Sequence, residues 1–449
     1  MARTLVFALL LVASCCFVNS QGKSPTKTGK EHLVKVMKGH KHGNKSQHMT
    51  DAAKVAEVVE ALPKNHKERP EIADNAAGNF YIGTGIGDIT GPAANVNMMG
   101  YANPTQVTGG IHLRLYSRAY IIADKTDETQ RILFVSADMA MGSQLVKLEV
   151  LNRLRTMYDD LYTAENFCLS GTHTHSGPGG YQQFVLFDIT SLGFVKENFE
   201  AIVQGIVKSV QHAHSKLTLG DIFINKGDVM MSNINRSPTA YLNNPADERN
   251  KYQYNVDKEM VLIKMAGTDG KDLGMINWFS VHGTSMNNTN HLISGDNKGY
   301  ASYMFEQLLN PNTRPGQGSF VAAFAQTSEG DVSPNTKGPH CLDTGLPCDV
   351  ETSTCNGKTE NCVAFGPGED MRESTHIIGT HQFSNAWDLY HSATKQLSGK
   401  VAYRHQYVNM SDYTVYLNSS TKVKTCKPSL GYSFAAGTTD GPGAFDFTQ

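Results

Sequence analysis

Residues 131–175 read RILFVSADMAMGSQLVKLEVLNRLRTMYDDLYTAENFCLSGTHTH, with two short apolar runs on either side of an amphipathic segment. The run at residues 131–135 predicts a buried strand, and residues 166–172 predict a second strand. Residues 143–158 predict the helix between them, because apolar side chains recur on one face at Val146, Val150, Leu154 and Met157. This order of elements is typical of a βαβ unit.

The same alternation of elements continues along the chain. Helices are predicted at residues 197–213 and 298–309, and strands at residues 217–224, 259–265, 275–282 and 319–325. The sequence therefore predicts an α/β fold with a mixed sheet flanked by helices. Ligands of such sheets bind beyond the carboxyl ends of the strands, so Asp138 and His173, which each follow a predicted strand, are candidate site residues.

The composition fits a globular protein and argues against one class of partner. With 449 residues the chain is long enough for one large domain or for two or three ordinary ones. A nucleic-acid-binding domain usually has a basic face, whereas this chain has a formal charge of −2 and a pI near 6.8. We expect no nucleic-acid partner.

The amino-terminal residues indicate export. Arg3 precedes an apolar stretch that ends in small residues, which is typical of a cleaved signal peptide over residues 1–20. An uncleaved signal anchor is the alternative, disfavoured because the stretch is shorter than the roughly 20 residues of a membrane span. Residues 21–77, rich in Lys and His, predict a disordered polar stalk, and residues 78–449 predict the folded part. We expect a secreted protein or one on the outer face of the plasma membrane.

The cysteines that follow the predicted signal peptide, and several sequons, agree with export. Four cysteines recur every seven residues, at Cys341, Cys348, Cys355 and Cys362. This spacing does not match paired C-x-x-C zinc knuckles, so disulfide bonds are the favoured interpretation. N-glycosylation is permitted at Asn44, Asn235, Asn287, Asn409 and Asn418.

Histidines after two predicted strands suggest a metal site. Residues 171–179 read GTHTHSGPG, and two histidines two apart on an extended chain, His173 and His175, project from the same face. An ordinary polar turn is the alternative. His282 ends a second predicted strand and is followed by a glycine, which favours the metal interpretation. His291 lies in a polar loop and is expected at the surface.

Two further polar segments are candidates for the same site. Arg236 lies in SNINRSP, and Ser333 lies between Asp331 and a proline in QTSEGDVSPN. Neither segment has the G-x-S-x-G nucleophile elbow, which argues against a serine α/β-hydrolase. Taken singly, Arg236 is more simply a surface ion-pair residue and Ser333 a helix cap.

Five segments taken together resemble the neutral ceramidase family, in the same order along the chain. They are GTGIGDITGP at residues 83–92, GTHTHSGP at 171–178, NRSPTAYLNNP at 235–245, FSVHGTSM at 279–286 and GDVSPN at 330–335. The glycines of the first segment do not form a nucleotide loop, because no helix start follows them. The resemblance covers roughly residues 78–449 and implies a zinc amidohydrolase that splits ceramide and related N-acylsphingosines, taken from a membrane surface, into sphingosine and a fatty acid.

The resemblance also implies roles for individual residues. His173 and His282 would be zinc ligands, and His175 and Arg236 would face the substrate and stabilise the oxyanion. Ser333 matches a serine treated as catalytic or as substrate-contacting. Asp138 and Asp296 are our own assignments to the surroundings of the site, since the family does not provide them. The family also suggests interleaved disulfide pairs, Cys341 with Cys355 and Cys348 with Cys362.

One departure from the family pattern concerns the zinc ligands. The family completes its zinc site with a glutamate and a tyrosine from further along the chain, which leads us to expect an incomplete domain, truncated at its carboxyl end, with weak or no activity. A secreted, non-catalytic lipid-binding paralogue that keeps the fold is the rival interpretation. A different zinc amidase with a polar substrate is a third.

Overall fold

The computed structural model describes residues 78–427 and 436–442. Its principal sheet has nine strands: β1 Phe80–Asp88, β2 Tyr116–Asp124, β3 Arg131–Ala137, β4 Phe167–Gly171, β5 Thr218–Asp228, β6 Glu259–Gly267, β7 Asp272–Phe279, β8 Val321–Gln326 and β9 Lys395–Gln396. The strand order is β8-β7-β6-β5-β1-β2-β3-β4, with β9 paired to β5. The pairs β3–β4 and β7–β8 are parallel and the others are antiparallel. The predicted α/β fold with a mixed sheet flanked by helices is therefore confirmed.

Four long helices accompany the sheet: α1 Gln144–Tyr158, α2 Lys196–Ser215, α3 Asp296–Leu309 and α4 Met371–His391. Shorter elements include the paired strands Ala94–Met99, Val107–Ile111, Gly177–Pro178 and Leu292–Ile293, the pair Ile234–Asn235 and Val332–Ser333, and the pair Gly437–Thr438 and Gly441–Pro442. No helix within the described ranges is long and apolar enough to cross a membrane. The predicted signal peptide and polar stalk, residues 1–77, lie outside the described residues.

Helix α1 shows how closely the sequence pattern matches the packing. Ser143 caps the helix, its hydroxyl accepting from the amide of Val146 at 3.3 Å. Val146, Val150 and Leu154 are buried as predicted. The prediction for Met157 is wrong, since 39% of this residue is exposed. Its sulfur lies 3.0 Å from the side-chain nitrogen of Gln211, so it sits where α1 meets α2 rather than in the core.

Three apolar clusters show that the sheet folds over to make two inner layers. The first cluster lies between α1, α2 and the β2–β3 face, and another lies between α3, α4 and the β6–β8 face. The third joins side chains of β1 and β2 to those of β6, β7 and β8. Strands β8 and β4 also touch each other, although they lie at opposite ends of the strand order, so the sheet must fold over. The order of layers is therefore helix, sheet, sheet, helix.

Glycines on β1 set the distance between that strand and helix α2. A Cβ atom at Gly83, Gly85 or Gly87 would lie 2.1 Å from a carbonyl oxygen of α2. Any side chain at these positions would push the helix away from the sheet. This packing role accounts for the alternating glycines that superficially resemble a nucleotide-binding loop.

The two predicted disulfides are confirmed. Cys341 pairs with Cys355 and Cys348 pairs with Cys362, each across 14 residues of sequence. They tie together the loop around the strand pair Gly338–Cys341 and Cys362–Phe365. The loop is polar, and its buried apolar cluster consists of these cysteines. The two crosslinks therefore stabilise the loop in place of an apolar core.

Candidate metal centre

The site begins where the chain leaves β4 and β7. The chain continues past both strand ends, and Thr174 forms a parallel bridge with Gly283, where the amide of His175 donates to the Gly283 carbonyl at 3.1 Å. A Cβ atom at position 283 would lie 2.2 Å from the His173 carbonyl oxygen, so the bridge requires glycine. Strand β7 ends at Phe279, so the prediction that it ends on His282 is wrong by three residues. His282 instead lies on the extension that pairs with the β4 side.

The side chain of Gln326 at the end of β8 holds the two extensions together. Its amide nitrogen donates to the carbonyl of Thr172 at 3.0 Å and to that of Val281 at 2.5 Å. Both amide protons are thereby used, one on each extension. The neighbouring His173 has a positive φ of 65°, a strained conformation for a residue other than glycine, which is typical of functional sites.

This arrangement brings three imidazole rings together. Nε2 of His173 lies 2.9 Å from Nε2 of His282 and 3.2 Å from Nε2 of His175. Nδ1 of His173 donates to the carbonyl of Ala140, and Nδ1 of His282 donates to the carbonyl of Glu329 at 2.8 Å. Because each Nδ1 carries a proton, each Nε2 of a neutral ring has a free lone pair.

The electrostatic surroundings favour neutral rings. Burial lowers the pKa of His282 well below its ordinary value, and the positive charge of Arg236 lowers it further. Burial also lowers the pKa of His175 well below its ordinary value, with contributions from His173 and Arg236. The pKa of His173 is lowered by burial as well, although Glu329 opposes the shift. Neutral imidazole is the form that binds metal ions.

The donor set fits a divalent metal ion. Two lone pairs that face each other across 2.9 Å repel unless a cation lies between them. Backbone carbonyls fix the orientation of both rings, which is the arrangement that metal-ligating histidines usually have. His173 and His282 therefore have the chemistry of metal ligands.

His175 differs from the other two histidines. Its Nδ1 is buried and has no hydrogen-bond partner within residues 78–427 and 436–442, and its Nε2 faces Nε2 of His173, so no backbone carbonyl orients this ring. Its ring packs edge-on against Tyr101 at 4.6 Å between centroids. A ring with an unpartnered nitrogen suits proton transfer or donation to a substrate better than permanent ligation.

Arg236 and Ser333 lie beside the histidines on two paired segments. Ser333 pairs with Ile234 across a short antiparallel ladder, and the amide of Arg236 donates to the Asp331 carbonyl at 2.9 Å. Nε of Arg236 donates to the carbonyl of Gly330 at 3.1 Å, and its side chain is only 15% exposed. Arg236 is therefore no surface ion-pair residue, and Ser333 caps no helix.

The two aspartates that we assigned to the surroundings of the site differ in position. Asp296 accepts from the amide of Met286 at 2.9 Å and from the side chain of Asn297 at 3.0 Å, and Asn297 donates in turn to the His282 carbonyl. Asp138 is instead ion-paired with buried Arg118 at 3.0 Å. No hydrogen bond joins the Asp138 side chain to the three histidines in the described chain, so its assignment to the surroundings of the site stays a prediction. His291 is exposed, as predicted.

Sequence reasoning missed two residues of the site, Gln326 and Asp440. Gln326 directly follows the strand predicted at residues 319–325, a position that could have identified it as a site residue. Asp440 lies in a tight hairpin near the carboxyl end, where its side chain receives hydrogen bonds from Ser333 and Asn335. Only the glycines around it, Gly437 and Gly441, indicate a turn there.

Comparison with known proteins identifies what the chain resembles. Residues 80–449 match the family described as neutral/alkaline non-lysosomal ceramidase, N-terminal. The chain is 50% identical over 398 residues to neutral ceramidase A of Dictyostelium discoideum, covering 87% of this chain and 55% of that protein. It is 47% identical over 437 residues to neutral ceramidase 1 of Arabidopsis thaliana, covering 82% of this chain and 56% of that one.

Solved structures give the same result. A ceramidase structure complexed with C2 has a TM-score of 0.70 and 35% identity, covering 82% of this chain and 53% of the other. Neutral ceramidase from Pseudomonas aeruginosa has a TM-score of 0.67 at 35% identity, with coverage of 78% and 51%. The chain thus spans about half the length of the relatives it matches.

Substitution of each histidine tests which rings hold the metal ion. With Zn²⁺ as the probe ion, we expect His173→Ala and His282→Ala each to raise the dissociation constant at least about 100-fold, because each removes an oriented ligand. His175→Ala should raise it less than about 10-fold, and exposed His291→Ala should leave it unchanged. Competition titration with a chelating dye measures all four. Equal losses for the three buried histidines would contradict the distinction drawn for His175.

Proposed function

This chain belongs to the neutral/alkaline non-lysosomal ceramidase family, and from that premise we propose that it hydrolyses the N-acyl amide bond of ceramide to sphingosine and a fatty acid. The observation that carries the proposal is the convergence of His173 and His282, with lone pairs facing each other, beside a largely buried Arg236. Amide hydrolysis needs a nucleophile on one side of the carbonyl and a positive group for the oxyanion, and these residues provide for both.

We infer that the metal ion is zinc, held by His173 and His282. When bound, zinc would act as a Lewis acid. It would also provide a nucleophile at neutral pH, because it lowers the pKa of a bound water from about 16 to about 7. Catalytic zinc usually has three protein ligands, and the remaining ligands are not identified among the described residues. The carbonyls of Ala140 and Glu329 keep both rings in the ligating tautomer.

Arg236 and His175 would act on the substrate. The guanidinium of Arg236 is permanently charged, and its hydrogen bond to the Gly330 carbonyl holds it in place for a developing oxyanion. His175, whose Nδ1 has no partner among the described residues, would take a proton from the attacking water and pass it to the leaving nitrogen, which returns the ring to its neutral form. Ser333 would contact the substrate within the same pocket.

Substitution of Arg236 tests the proposed reaction. We expect Arg236→Gln to lower kcat for ceramide about 100- to 1000-fold, because it removes one oxyanion donor. Release of fatty acid by the protein in its full natural length, supplied with zinc, measures the rate. Arg155→Gln is the matched control, since Arg155 is 67% exposed and its ion pair with Asp160 lies on the surface. Wild-type protein that releases no fatty acid from ceramide would contradict the proposal, as would activity on polar amides alone.

An exposed apolar segment, residues 184–194, would bring the protein to the membrane surface that holds its substrate. It begins nine residues after His175 in the sequence, and its large side chains Phe184, Val185, Leu192 and Phe194 are 57%, 81%, 95% and 49% exposed. A cluster of exposed apolar side chains usually marks an interaction surface. Ceramide resides in the bilayer, so contact with lipid at this segment would shorten its path to the histidines.

Vesicle binding tests this contact. We expect the double substitution Val185→Ser and Leu192→Ser to weaken binding to phosphatidylcholine vesicles more than 10-fold, because burying each side chain contributes about 1.5 to 3 kcal/mol. Leu417→Ser is the control, since Leu417 is 64% exposed and lies in a different element, the hairpin of strands Thr414–Tyr416 and Lys422–Lys424. Co-sedimentation gives the partition coefficients. If the control weakens binding as much as the double variant, the segment has no special role.

We also propose that the chain is exported and glycosylated. Asn287, Asn409 and Asn418 are exposed and accessible to glycosylation, whereas Asn235 is 8% exposed and donates to the Asn255 carbonyl at 3.1 Å. Asn44 lies outside the described residues. The two disulfides require an oxidising compartment.

Glycopeptide mapping of the protein expressed in a eukaryotic secretory host tests export. We expect glycans at Asn287, Asn409 and Asn418 and none at Asn235, because a glycan there would break the buried contact. Unglycosylated protein that stays inside the cell would contradict export. A glycan at Asn235 would contradict its buried position.

A further inference from the structure

The carboxylate of Asp440 is the centre of a buried polar cluster. Its side chain is 2% exposed. Oδ1 accepts from the Ser333 hydroxyl at 2.5 Å and from the side chain of Asn335 at 2.8 Å. Oδ2 accepts from the Thr284 hydroxyl at 3.3 Å and lies 3.7 Å from Nη1 of Arg236. One carboxylate thus contacts both of the non-histidine residues assigned to the pocket.

The hairpin that carries Asp440 is attached to the same neighbourhood. Both the amide and the hydroxyl of Thr439 donate to the Arg236 carbonyl, at 3.3 and 3.2 Å. The Thr439 carbonyl accepts from the amide of Ala364 at 2.7 Å. Because the backbone on one side of Asp440 is fixed in this way, its carboxylate has a defined position relative to Arg236.

The cluster determines which way the Ser333 hydroxyl points. A hydroxyl has one proton and two lone pairs. Ser333 donates its proton to Asp440 and accepts from the amide of Asn335 at 2.9 Å. What remains is one lone pair, so a substrate group that binds Ser333 must be a donor.

We propose that Asp440 is a positioning residue that orients Ser333 as a hydrogen-bond acceptor for a hydroxyl group of the sphingoid base. A nucleophilic serine is usually activated by a histidine, which is a stronger base than the carboxylate that Ser333 contacts. Within the described residues the hydrogen bonds of Ser333 go to Asp440 and Asn335, and none goes to a histidine. The identity of the ligand rests on the proposed ceramidase function, whereas the orientation of Ser333 rests on the contacts alone.

Binding of sphingosine and its methyl ethers to the intact protein tests the proposal, because sphingosine is not turned over. We expect the wild type to bind sphingosine about 10-fold more tightly than one of two ethers, the 1-O-methyl or the 3-O-methyl ether, whichever blocks the hydroxyl that Ser333 accepts from. This difference is typical of one lost hydrogen bond. Ser333→Ala and Asp440→Ala should each abolish this preference, and the double variant should lose nothing more. A purely structural defect would weaken all three ligands alike and leave the ratio unchanged.

Controls make each outcome decisive. Asp412→Ala removes an exposed carboxylate and should preserve the ratio. Asp440→Asn retains an acceptor oxygen for the Ser333 hydroxyl and should also preserve it, and Ser333→Ala tests the preference by itself if Asp440→Ala fails to fold. Without any ligand, Ser333→Ala and Asp440→Ala should change the unfolding equilibrium constant non-additively. Additive effects would overturn the positioning role whatever the protein binds, and so would covalent labelling of Ser333 by a fluorophosphonate. Non-additive effects without sphingosine binding would instead contradict the ceramidase function.

Discussion

The site depends on a tertiary contact in which two strand extensions pair beyond the ends of β4 and β7. The bridge between Thr174 and Gly283 exists because the folded sheet brings β8 against β4, and because Gln326 donates to one carbonyl on each extension. Neither extension could place its histidine alone, since each is only a short stretch beyond a strand. The packing of the layered core therefore fixes the relative position of the two histidines.

The properties of the site depend on that pairing and on the groups that surround the histidines. Two backbone carbonyls orient His173 and His282, burial keeps the rings neutral, and the cluster around Asp440 holds Arg236 and Ser333 beside them. The buried polar groups are satisfied mainly by one another, which makes the site rigid and its geometry specific. His175 keeps an unpartnered Nδ1 among the described residues and is the ring best suited to change its protonation during a reaction.

Much of this could be predicted from the sequence, because the relevant signals are local. Apolar periodicity predicted β3, α1 and β4, and the H-x-H stretch after β4 predicted two histidines on one face. Tertiary contacts determined the rest. The extension carrying His282, the partner of Asp138 and the position of Met157 depend on packing between distant segments. The glycines of β1 have meaning only against helix α2. The disulfide pairs came from family resemblance, since spacing alone leaves the connectivity open.

Anomalous diffraction at the zinc edge, from crystals of the protein grown with zinc, tests the central claim most directly. The account predicts a single peak in this pocket, about 2.0 to 2.1 Å from Nε2 of both His173 and His282. Tetrahedral ligation would also widen the separation of these two atoms from 2.9 Å to about 3.3 Å. A pocket without a peak, or an ion bound elsewhere with the two rings still in direct contact, would contradict it.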